Sequence, residues 1–152
     1  MAWQRSLWLV AAVWWGSLTA LGAWVVPLLF AHAPTKAMAG GLAAHLFSAQ
    51  AWVGLLCGVY CLWAQRQLDQ RQGRVHPPRV LILAAMMLAA MVEWGIAPRI
   101  VARENLALWH SLGTGFWLLQ WACLTVHVWR NSPVMPADGH LPMSPSAPGP
   151  QA

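Results

Sequence analysis

Glu93, His45 and His110 are the side chains best placed to exchange a proton or hold a metal ion in apolar surroundings, with Arg99 and His32 close by. A carboxylate beside an imidazole can pass a proton, and imidazoles are common metal ligands. Each of these residues sits in, or at the edge of, a long apolar run. A charge in hydrocarbon costs a few kcal/mol or more unless it is paired or faces protein. His45 lies about six residues inside its run, Glu93 about five before Pro98 and His110 about five after Asn105, so all three fall ~7 to 9 Å from one boundary.

Contact between Glu93 and His110 is the expectation. Glu93 continues a stripe of Ala85, Ala89 and Ala97, and His110 shares one with Gly113 and Thr114, so both should turn toward neighbouring helices. About seven residues join their two runs, which makes those helices antiparallel neighbours. His45 points roughly 140° away from the Gln50, Gly54, Cys57 stripe at 100° per residue, toward another neighbour, a partner subunit or headgroups. The plain alternative is a buried pair that fixes helix register and binds nothing.

A second constellation is soft. Cys57, Cys61, Cys123, Met86 and Met87 fall in one half of the chain's apolar depth, and thiolates and thioethers favour Cu(I). They are also ordinary fillers of apolar cores. Haem with His45 and His110 as axial ligands stays open, as does copper. No cofactor is required by any motif: Walker, GxGxxG, GxSxG, HExxH and CxxCH patterns are all absent. No nucleophile–base pair is identifiable, so no catalytic residue is assigned and an enzyme is not expected.

The elements that must position these residues are four apolar runs, at 7–31, 39–63, 80–97 and 106–129. At about 18 to 25 residues each is long enough to cross a ~30 Å hydrocarbon layer. Apolar residues make up 59% of the chain and charged ones 9%, far below the roughly 25% of soluble domains. The fold expected is all-α, an antiparallel bundle of four transmembrane helices spanning residues 1–130. The first run is too long for a signal-peptide core and reads as a retained helix.

Charge sets the orientation. Arg5, Arg66, Arg71, Arg74, Arg79 and Arg130 lie on one side, and Lys36, Arg99 and Arg103 on the other. The positive-inside rule places both termini and a polar loop at 64–79 in the cytoplasm, and the protein in the inner membrane as a multi-pass chain. Basic residues confined to short loops are topology signals, so no nucleic-acid partner is expected despite the formal charge of +5. The expected partner is the lipid bilayer, with a homo-oligomer or a larger membrane complex open. Three cysteines in apolar runs argue against a disulfide framework. Residues 131–152 carry six prolines among Ser and Gly and read as a disordered cytoplasmic tail.

Tryptophans mark both interfaces: Trp3, Trp8, Trp63 and Trp129 at one end, Trp24, Trp94 and Trp109 at the other. His127, near the cytoplasmic end of the last run, reads as interfacial too. Small residues predict close helix packing, through Ala12, Gly16, Ala20 and Ala23 on the first helix and Gly54 and Gly58 on the second.

Trp15-Gly16, Pro27-Leu28-Leu29-Phe30, Ala39-Gly40 and Leu46-Phe47 together look like the start of the transmembrane protein 205-like family, whose bacterial form is the domain of unknown function 4149. Glu93, Pro98 and the stretch from Leu108-Trp109-His110 to Gly113 are similar to its last two helices. The resemblance implies a four-helix membrane protein. Animal relatives are linked to the handling of platinum drugs, while bacterial members are largely uncharacterised. A small transport or accessory component is therefore the first functional expectation. A haem- or metal-binding membrane protein and a non-catalytic subunit of a larger complex are the alternatives.

Overall fold

The computed structural model describes residues 2–72, 79–102 and 104–132, and these form four helical rods. The first rod runs through Ala2–Ala20, a π-helical stretch at Leu21–Val25, and Val26–His32. The second is one unbroken helix, Lys36–Gln72. The third comprises Arg79–Ala90, a π-helical stretch at Met91–Ile96, and Ala97–Val101. The fourth is Leu106–Arg130. The first three are long and apolar enough to cross a membrane. The fourth has 25 residues, its apolar character diluted by His110, Gln120 and His127.

Both π-helical stretches have the same cause. Pro27 and Pro98 lack an N–H, and a proline ring crowds the carbonyl four residues back. The residue before each proline bonds five residues back instead of four, Val26 N–H to Leu21 O and Ala97 N–H to Val92 O. Each helix thus widens just before its proline and continues. Past such a turn, faces extrapolated at 100° per residue no longer apply.

The second helix corrects an expectation. The sequence reading puts residues 64–72 in a polar loop, yet the helix continues to Gln72. Ala64, Gln65, Arg66, Gln67 and Leu68 are good helix formers, and no Gly or Pro intervenes before Gly73. Residues 73–78, with Arg74 and His76, lie outside the described residues, as do Arg103 and the expected tail beyond residue 132. Between the third and fourth helices the chain reverses through Asn105, whose φ of 37° is left-handed, a conformation asparagine tolerates.

The rods pack in a ring: first on second, second on third, third on fourth, fourth on first. At its centre Ala11, Trp14, Leu18, Cys61, Ile82, Ala85 and Leu124 form one buried cluster. The small-residue stripe of the first helix is not its buried face. A methyl group added at Gly16 would meet nothing within 4 Å, whereas Leu7, Ala11, Trp14 and Leu18 are buried. The reason lies across the interface. Gly54 is the socket for the Trp14 indole, whose Nε1 is 2.7 Å from where a Cβ would stand, and Gly58 is the socket for Met86. The two glycines admit bulky side chains from two different helices.

First and fourth helices are joined by a reciprocal clasp. Trp15 Nε1 donates to Thr125 Oγ1 at 2.8 Å, and Trp121 Nε1 donates to Thr19 Oγ1 at 2.8 Å. The two indoles stack, with centroids 6.2 Å apart and planes 30° from parallel. Each threonine in turn donates to the carbonyl of the tryptophan one turn before it. Both halves have the same pattern, Trp15-Gly-Ser-Leu18-Thr19 and Trp121-Ala-Cys-Leu124-Thr125, with both leucines buried.

Candidate functional site

Glu93 sits inside the widened turn of the third helix, which carries it half-buried toward the second helix. There Ser48 Oγ donates to its Oε1 at 2.5 Å. A hydroxyl bonding a carboxylate is among the stronger hydrogen bonds of proteins. The partner of Glu93 is therefore Ser48, and not His110. The π-helical turn re-aims the third helix at Glu93, while His110 on the fourth helix is exposed.

The other expected site residues stay at the same end of the bundle without meeting. His45 and His110 are exposed. Arg99, also exposed, lies over the Trp109 ring at 4.3 Å from its centroid. His45 and His110 belong to the second and fourth helices, which are not neighbours in the ring. Among the described residues no three His, Cys, Asp or Glu side chains are grouped to hold a metal ion.

The three cysteines and Met86 gather, but as core, while Met87 is exposed. Cys61 is fully buried in the central cluster, and Cys57, Cys123 and Met86 pack against it. All three cysteines are free. Cys61 Sγ lies 4.0 Å from the Leu7 carbonyl, a weak contact across the first and second helices.

Toward the middle of the bundle from Glu93 lies a cavity of about 20 Å³. Phe47 and Val92, the neighbours of Ser48 and Glu93 in sequence, form part of its wall, together with Gln50, Trp117 and Gln120. Gln50 Nε2 donates to Ser17 Oγ at 2.9 Å. Gln120 is 4% exposed.

Sequence reasoning missed Ser48, Gln120 and His127. His127, near the end of the fourth helix, is fully buried, with Asn131 Nδ2 donating to its carbonyl at 2.8 Å. Its Nε2 has no partner among the described residues. Gln120 had a readable signal, an uncharged polar residue isolated between Leu119 and Trp121 in an apolar run. At the far end of the bundle, Asp69 and Arg79 form an ion pair between the second and third helices, and Arg71 lies over Trp3 at 5.9 Å.

A family described as a domain of unknown function (DUF4149) matches residues 9–107. The match covers the first three helices, with Ser48, Glu93 and Gln50, and ends as the fourth begins. No curated protein and no solved structure matches the chain.

Proposed function

We propose that this chain, which belongs to the DUF4149 family, is a multi-pass protein of the inner membrane that serves as a small transport or accessory component, with Glu93 as its proton-carrying group. The observation that carries the reading is the Ser48–Glu93 hydrogen bond inside an apolar bundle, formed at a π-helical turn. Intramembrane carboxylates are expensive and recur where ions or protons move, and π-helical turns recur at functional sites. Three helices are long and apolar enough to span. The fourth, at ~1.5 Å per residue about 37 Å long, packs between first and third and makes a fourth crossing. An even number of crossings returns the chain to its starting side, and the Lys/Arg bias makes that side the cytoplasm. Kinship with the transmembrane protein 205-like family is part of the same reading, supported by Trp15-Gly16, Pro27 to Phe30 and Leu108 to Gly113. No catalytic step is assigned to any residue.

The test is proton movement in proteoliposomes. Under a potassium diffusion potential, negative inside, wild-type vesicles should acidify, as read by an entrapped pH dye. Glu93→Gln should lower the rate about tenfold or more, and Ser48→Ala a few-fold. No flux in the wild type, or equal flux in Glu93→Gln, overturns the reading.

A further inference from the structure

The cavity at the centre of the bundle has no role in the function proposed above. Two glutamines line it from helices on opposite sides of the ring, Gln50 on the second helix and Gln120 on the fourth. Gln50 is accounted for on its amide side by Ser17. Gln120 is 4% exposed, and among the described residues its carboxamide has no hydrogen-bond partner. Trp117, another wall residue, has a buried indole Nε1 that is likewise unpartnered. A buried polar group without a partner, such as the Trp117 indole, costs about 1–3 kcal/mol, so native interiors supply one.

Size decides what the partner is. A cavity of about 20 Å³ exceeds the ~10–15 Å³ that a single water needs and holds little beyond one. Two carboxamides offer both donors and acceptors, which suits a neutral molecule that donates and accepts. A bare cation would be poorly served, since no carboxylate lines the wall. We propose that this cavity is a built binding site for one internal water, held between the carboxamides of Gln50 and Gln120 across the bundle. The water completes a polar ladder from Ser17 through Gln50 to Gln120, tying first, second and fourth helices at mid-depth. It stands next to the Ser48–Glu93 pair through Phe47 and Val92, yet it does not depend on Glu93 carrying protons.

Radiolytic hydroxyl labelling reads this directly, because a bound water yields radicals in place and marks the side chains around it. In intact protein in lipid nanodiscs, Phe47 and Trp117 should be oxidised at least several-fold faster than Trp14, which is fully buried and not a wall residue of the cavity. Gln120→Met keeps the volume and removes the hydrogen-bonding groups, so it should bring both rates down to that of Trp14. Gln50→Met should do the same, which covers the case of one variant failing to fold. Wild-type rates at Phe47 and Trp117 equal to that of Trp14 would show a dry cavity and overturn the proposal. Fast labelling that survives both substitutions would overturn it too, since the water would then not be held by the carboxamides. Proton flux in proteoliposomes is a separate readout, so this site can fail while the Glu93 reading stands, and the reverse.

Discussion

At the scale of single residues, Ser48 and Glu93 should behave as one unit. A hydrogen bond to a charged group contributes about 1.5–3 kcal/mol, so Ser48→Ala should destabilise the bundle by roughly that amount. In a Glu93→Leu background the same change should cost much less, which a double-mutant cycle of denaturation in mild detergent would show. His110→Gln, at an exposed position, should stay within about 0.5 kcal/mol. Coupling of Glu93 to His110 instead of Ser48 would contradict the geometry. Glycines offer a second contrast. Gly54→Ala drives a methyl into the Trp14 indole and should cost about 1–3 kcal/mol by overpacking. Gly16→Ala meets open space and should gain up to about 1 kcal/mol from helix propensity. Melting temperatures of the two variants should move in opposite directions.

At the scale of elements, the two prolines determine where side chains point. Pro98→Ala restores an N–H and lets the third helix close its wide turn into regular α-helix. The expected result is a small change in stability together with loss of the Ser48–Glu93 coupling energy, measured by repeating the cycle in the Pro98→Ala background. Unchanged coupling would mean that the π-helical turn does not aim Glu93. The same turn explains which parts of the fold were legible. The four rods, the start of the third helix at Arg79 and of the fourth at Leu106, and the antiparallel hairpin between them follow from apolar length and from proline and asparagine punctuation. Rotation about each axis did not. A helical wheel assumes one register throughout, and both Pro27 and Pro98 break it. It also treats small residues as the contact face, whereas here Trp14 is buried because Gly54, on another helix, makes room for it. That complementarity is a property of pairs and is invisible in either segment alone. The overrun of the second helix to Gln72 was legible in propensity and was outweighed by polarity.

At the scale of the whole molecule, the pairing of third and fourth helices was readable and the order of the ring was not. Counting residues puts His45, Glu93 and His110 at one end, but only the ring order separates the second helix from the fourth and so keeps the two histidines apart. Topology is the property that the complete chain must decide. A reporter fluorescent only in the cytoplasm should light up when fused after Arg130 and stay dark when fused after Lys36, because the Lys/Arg bias acts through short loops. The reverse pattern would place Glu93 near the cytoplasmic face.

The Trp15–Thr125 and Trp121–Thr19 clasp bears on how the ring comes to exist. Its two halves lie on the first and fourth helices, more than a hundred residues apart in sequence. Chains emerge from the ribosome at about 5–20 residues per second, so Trp15 and Thr19 wait several seconds before their mates are made. Until then the Trp15 indole N–H lacks its acceptor on the fourth helix. These hydrogen bonds are also those that shut the gap between first and fourth helices, so closure of the ring waits for the fourth helix.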